Sequence, residues 1–295
     1  MKMFRFMTAV IAAAAIPLCA GCGQSAPSML RADASAVEAL RSKLMVGVQS
    51  SGEAGPAAQA TGWAKLSGTF KLVGDPPPPA QLPITKEQDI CAPAGKPVYS
   101  HALMVDPKTK GIANIAIYPK KVGSVNDSAK TPPAAVPTFD QKQCLFATPL
   151  LGVQVGQKFL VKNSDSTTHN FHTAPVNNAA ENKNISAGKA EEQAFTKEEP
   201  RPVPVNCDVH PWMKAYILPR ANAYFAVTKD DGSFEIADLP AGEDLEIVVW
   251  HELAPNIPVN ATAQKISGQG RFKIKLEPGK DVHLDIEVPV ATFVK

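Results

Sequence analysis

Seven consecutive residues, Cys207-Asp208-Val209-His210-Pro211-Trp212-Met213, put a thiol, an imidazole and a thioether on one short loop. Upstream, the apolar run ending in Val161-Lys162-Asn163 passes through Ser164-Asp165-Ser166-Thr167-Thr168 to His169 and Asn170, so a second imidazole follows directly on a strand. A chain that brings these donors together needs short strands joined by tight turns. The composition agrees: 27 Pro and 19 Gly, with few long stretches of helical period, predict an all-β protein made of sandwiches.

Two imidazoles, one thiolate and a weak thioether form the donor set of a trigonal blue-copper site. Sulfur favours Cu(I), while imidazole accepts both Cu(I) and Cu(II). A site that suits both can pass one electron with little rearrangement. The spacing Cys-x-x-His-x-x-Met, with Pro directly after the His, resembles the copper loop of amicyanin and its cupredoxin relatives. The segment 151–163 resembles the strand pair before the first cupredoxin His, and the resemblance covers about residues 138–219. It implies one type 1 copper ion, with Cys207, His169 and His210 in the trigonal plane and Met213 as the long axial ligand. Asn170, which follows His169 as in that family, would help to fix the sulfur, and Pro211 and Trp212 would form an apolar collar. Through that collar His210 is expected to face solvent and to be the exit for electrons.

Other histidines compete less well. His172 lies three residues after His169, and on an extended strand the two point to opposite faces. His101, His251 and His283 have no partners at ligand spacing. Trp250-His251-Glu252 ends an apolar strand, where it could bind metal or simply pack at a domain edge.

Of five Cys, Cys19 and Cys22 fall in an N-terminal targeting segment. If Cys207 is the metal thiolate, parity leaves Cys91 and Cys144 to form a disulfide in an oxidising compartment. Such a cross-link is typically worth about 2–5 kcal/mol.

Lys2 and Arg5 precede the apolar residues 8–18, a core of signal-peptide length that is too short to span a bilayer stably. Ala20-Gly21-Cys22-Gly23 resembles the end of a bacterial lipobox, although Cys19 stands where that motif usually has Leu. Residues 1–21 are then a signal peptide, Cys22 is an acylated anchor, and residues 22–62, with a short helix over 34–45, are a tether. Plain cleavage near Ala20 is the alternative. The protein is expected to be exported and held on a bacterial membrane, facing the periplasm or the exterior.

Residues 224–236 read as a β-hairpin about Asp231-Gly232, with Phe225, Val227, Phe234 and Ile236 alternating. With Asp238-Leu239-Pro240-Ala241-Gly242 and the strand after it, this region resembles a carboxypeptidase-regulatory-like sandwich, also labelled as a rhamnogalacturonan-lyase-type domain, which is prealbumin-like. Residues 66–76 and 111–119 fit that fold's opening strands. The cupredoxin-like domain, 123–219, is therefore expected to be inserted into a sandwich formed by 63–122 and 220–295. The alternative is two domains in series, with 63–137 as extra strands on the cupredoxin-like one.

A net charge of +2 carries no nucleic-acid signal. No nucleophile–base pair, carboxylate pair or second copper centre is visible, so no enzymatic activity is expected. The functional expectation is one-electron transfer to or from a redox protein. The alternative is a cell-surface binding or structural lipoprotein with copper structural or absent. Copper storage would call for clusters of Met or His that this chain lacks.

Overall fold

The computed structural model describes residues 59–294, which lie within one compact unit. The signal peptide, Cys19, Cys22 and the helix expected over 34–45 lie outside the described residues. The described chain is almost all β, with two four-residue helices, Gln88–Cys91 and Asp127–Lys130. Asn126 caps the second, its side-chain oxygen accepting the Ser128 N–H.

One set of sheets draws on both ends of the described chain. The long strand Gly62–Val73 lies between Ser233–Ala241, antiparallel, and Val282–Pro289, parallel. Its burial alternates, with Leu66, Phe70 and Leu72 facing inward, which the period-two pattern requires. Ala116–Pro119 pairs with Ala226–Val227 and with Asp244–Trp250, and the last pairs with Arg271–Lys275. Between these sheets lies an apolar core that includes Phe70, Ile115, Ile117, Phe234, Ile247 and Ile286.

The second set is built from residues 138–220. Five strands run in the order Leu150–Gln154, Lys214–Arg220, Val203–Asn206, His169–Thr173 and Asn182–Ile185. Four more run in the order Leu145–Phe146, Thr138–Lys142, Phe159–Asn163 and Ala190–Gln193. Phe139, Phe146, Phe159, Phe171 and Phe195 fill the core with stacked and edge-on contacts. Leu82, Ile84, Ile90 and Cys91 pack on this core, although they fall in the stretch 63–122 that the sequence reading groups with the other sheets.

A smaller cluster joins the two sets: Ala116 and Tyr118 meet Leu150 and Leu218, and Trp250 packs edge-on against Tyr216. Arg220 seals it, its guanidinium stacked over the Tyr118 ring and donating to the carbonyls of Glu199 and Pro119.

The hairpin expected over 224–236 forms its turn but not its ladder. Lys229 and Ser233 are bonded, Gly232 sits at φ 79°, and Asp231 accepts the Ser233 N–H. The two arms then enter different sheets. Thr228 explains the split: its buried hydroxyl donates to Ile112 O and accepts from Ile115 N, which draws the first arm to Ala116–Pro119.

Candidate metal centre

The site begins with a polar turn at the end of the strand Phe159–Asn163. Asn163 is fully buried, and its side chain donates to Thr167 O and Ile185 O and accepts from Asp165 N. Those three bonds fix the connection 163–168 and deliver His169 as the first residue of the next strand. On the other side, the loop 207–213 is closed by its own backbone: Cys207 N–H donates to Met213 O and Met213 N–H to His210 O.

These elements bring His169, Cys207 and His210 together, with one donor atom of each within 4.8 Å of the others. The two Nδ1 atoms lie 3.0 Å apart, and Cys207 Sγ is 3.7 Å from His210 Nδ1. Bonds of about 2.0–2.1 Å to imidazole and about 2.3 Å to thiolate, typical of a first-row ion such as zinc, require N···N of roughly 3.5–3.6 Å and S···N of roughly 3.7–3.8 Å in a trigonal plane. The donor types and the sulfur–nitrogen spacing fit such an ion, and the two Nδ1 atoms would part by about 0.5 Å to admit it. Met213 is fully buried in the same core. Two further groupings near the site include Cys91 or Cys144, but those sulfurs are joined in a disulfide and offer no thiolate. That disulfide is the pairing expected from cysteine parity, and among the described residues Cys207 is the free, buried thiol.

Each imidazole is held from outside by a carboxylate. His169 Nε2 lies 2.7 Å from Asp165 Oδ2, and His210 Nε2 lies 2.9 Å from Glu87 Oε2. A carboxylate can only accept, so each Nε2 carries its proton outward and each Nδ1 turns inward. Asp165 is itself fixed by the N–H groups of Gln143 and Cys144. Asn170 N–H donates to Cys207 Sγ at 3.2 Å, and Asn170 Oδ1 receives the Asp208 N–H.

Burial and charge act against each other here. Burial opposes the His169 cation, but hydrogen bonds to Asp165 and Cys207 outweigh it and raise the imidazole to about 9. Burial likewise opposes the Cys207 thiolate, and the His169 contact with nearby N–H groups overcomes it, lowering the thiol below its ordinary value. His210 is lowered, first by burial and then by the neighbouring His169 charge.

One expectation fails. His210 is not solvent-facing: it is 0% exposed, as fully buried as His169. Glu87 covers its outer nitrogen, and the segment carrying Glu87 packs on the core through Leu82, Ile84 and Ile90. Pro211 is exposed, but Trp212 is nearly buried, its indole N–H donating to Cys144 O and its ring 5.1 Å from His210. His172 stands apart, partly exposed and bonded to Asp208. His251 is buried elsewhere, and His101 and His283 are exposed.

Glu87, Asp165 and Thr167, whose hydroxyl also donates to Glu87, are the residues that sequence reasoning missed. Asp165, four residues before a ligand-type His, carried a weak signal. Glu87, 123 residues from His210, carried none.

No protein-family model matches the chain, and no curated protein matches it in sequence. Among solved structures, a proline-to-glycine mutant of amicyanin in its reduced Cu(I) form at pH 4 is 22% identical; the match covers 31% of this chain and 93% of that one, with a TM-score of 0.27. A Cu(I) methionine-to-alanine mutant of amicyanin gives the same values. The copper-containing nitrite reductase of Thermus scotoductus SA-01 is 21% identical over 32% of this chain and 24% of that one, also with a TM-score of 0.27. One expectation is withdrawn: part of the chain matches a protein named as a copper-containing nitrite reductase, and enzymatic activity is not excluded. At these scores the likenesses bear on one part of the chain only, and the chemistry of the site rests on its own donor set.

Proposed function

We propose that the protein is a membrane-anchored, extracytoplasmic type 1 copper protein that transfers single electrons to or from a redox protein. The observation that carries this reading is the buried convergence of the Cys207 sulfur with the inward-turned Nδ1 atoms of His169 and His210. Met213, buried in the same core, would supply a thioether. Copper held by these residues would supply a one-electron couple and, with the Cys207 sulfur, strong visible absorption. The chain's part is to hold the donors still. Asn170 N–H steadies the sulfur, Asp165 and Glu87 hold the imidazoles, and the aromatic core excludes water.

With His210 covered, Trp212 is the group through which the centre meets the surface. Its ring borders both His210 and an open cleft of about 580 Å³ lined by Leu82, Phe146, Pro211 and Tyr216. The Cys91–Cys144 disulfide supports an oxidising compartment. The leader and Cys22 support a lipid anchor, and among the described residues no helix is long and apolar enough to cross a membrane. We take the division into an inserted cupredoxin-like domain and a surrounding prealbumin-like sandwich as part of this proposal, supported by strand pairing that stays within each set.

The test is copper loading of the folded protein. The wild type should show an intense visible charge-transfer band and a type 1 paramagnetic signal. Cys207→Ser should lose both while keeping its β circular-dichroism spectrum. A folded, copper-loaded wild type without colour overturns the proposal.

A further inference from the structure

We propose that Glu87 is a positioning residue of the metal centre and that the Cys91–Cys144 disulfide is the clasp that keeps it, and with it His210, in place; this rests on the copper reading above. Glu87 occupies left-handed backbone at φ 48° and ψ 44°, an unfavourable place for a residue with a Cβ. Gln143 and Cys144, on the facing segment, are left-handed as well, at φ 55° and 52°. Such conformations persist where surrounding contacts impose them, and here the contacts lead to the two imidazoles.

On one side, the Glu87 carbonyl accepts the Cys91 N–H at 2.8 Å, so Glu87 is one turn from the disulfide. Its Oε2 receives both the Thr167 hydroxyl, at 2.6 Å, and His210 Nε2, at 2.9 Å. On the other side, Cys144 N–H and Gln143 N–H hold Asp165, whose Oδ2 faces His169 Nε2. Cys144 O also takes the Trp212 indole N–H. A single covalent bond therefore fastens the segment that supplies Glu87 to the one that holds Asp165 and anchors the Trp212 ring beside His210.

The exposures show what the clasp does. Glu87 remains exposed on its outer side, whereas His210 beneath it is 0% exposed. An exposed carboxylate adds little to stability, so its consequence is local: it fixes the His210 tautomer and closes the ring from water. Without the cross-link, the segment 82–98 keeps Leu82, Ile84 and Ile90 on the core, while backbone bonds such as Leu82 N–H to Val98 O are internal to it. That is a weak hold for a cover.

The experiment labels imidazoles with diethyl pyrocarbonate in the metal-free protein and maps each histidine by mass spectrometry, with exposed His101 and His283 as internal references. In the wild type, His210 and His169 should resist labelling. In Glu87→Ala, and in the double variant Cys91→Ser/Cys144→Ser, His210 should react at least tenfold faster and approach the rate of His101. In the copper-loaded protein, Glu87→Gln should raise the reduction potential, since it removes a negative charge beside a ligand, while the circular-dichroism spectrum and Tm stay close to those of the wild type. A wild-type His210 that labels as fast as His101, or one that stays protected in both variants, overturns the proposal, as does an unchanged potential in Glu87→Gln. The labelling needs no metal. Protected His210 in a protein that takes up no copper would sink the copper reading and leave the clasp standing.

Discussion

His251 offers a sharp test of how the first set of sheets is packed at its edge. It follows the strand Asp244–Trp250 and is 1% exposed. Its Nδ1 accepts the Leu253 N–H, so Nε2 carries the proton, and that buried atom has no acceptor. The Phe293 ring stands edge-on against it at 5.1 Å. With no carboxylate to compensate, burial lowers the imidazole from 6.5 to about 4. An unfolded chain thus binds a proton between about pH 6.5 and 4 that the folded chain refuses. The contribution of His251 to stability is complete above pH 6.5, falls as pH drops toward 4 and is level below. At about 1.36 kcal/mol for each pH unit, the loss is about 3 kcal/mol. The neighbouring Glu252 acts in the opposite sense: burial raises its carboxyl to about 7, so its contribution is present below its ordinary value of 4.5 and lost as pH rises through 7. The wild-type profile is therefore flatter than either group alone would make it, and the comparison needs a variant. His251→Asn keeps an acceptor for Leu253 N–H and removes the titration. Urea unfolding at pH 7, 5.5 and 4 should show the wild type losing about 3 kcal/mol more than the variant between the first and last points. Parallel profiles for the two proteins would refute the reasoning and place a partner on Nε2.

Two further outcomes follow from the metal centre and its core. Asn170→Ala removes the acceptor for Asp208 N–H and the donor to Asn182, but keeps the backbone N–H that faces the sulfur. It should cost about 1–3 kcal/mol in urea unfolding, with the visible copper band retained. Phe171→Ala removes the ring that Phe139 and Phe159 each meet edge-on, and should cost about 3–5 kcal/mol by the same measurement.

The convergence of His169, Cys207 and His210 was legible because two of them share one short loop and the third follows a strand in plain sequence. The all-β class was legible from Pro, Gly and alternation, and the disulfide from cysteine parity once Cys207 was assigned to metal. What escaped was partnership. Alternation at Phe225, Val227, Phe234 and Ile236 states which face is buried, but not which strand lies alongside, and two sheets satisfy it as well as one hairpin does. The exposure of His210 escaped for a related reason. A loop sequence describes the loop and is silent about what covers it. The cover here comes from an irregular stretch around Glu87 with no periodicity to read, recruited by a disulfide that spans 53 residues.

The charges of the site explain why its donors can hold their places in the protein as folded. A thiolate buried alone would be costly. Here His169, raised to about 9, stays protonated at neutral pH beside Cys207, and its contact is what chiefly lowers the thiol against burial. His210, pushed down by burial and by that neighbouring charge, stays neutral with the Nδ1 lone pair turned to His169 Nδ1. The proton shared near the two Nδ1 atoms therefore sits where a metal ion would sit, and it must leave before His169 can serve as a ligand. Exchanging one cation for another at the same point asks little of the surrounding backbone. Asp165 and Glu87 keep accepting from the outer nitrogens in either state, because those bonds use Nε2 and leave Nδ1 to whatever occupies the centre. Rigidity of this kind lies in the carboxylates and the turns that hold them, and it is available to the site before any metal arrives.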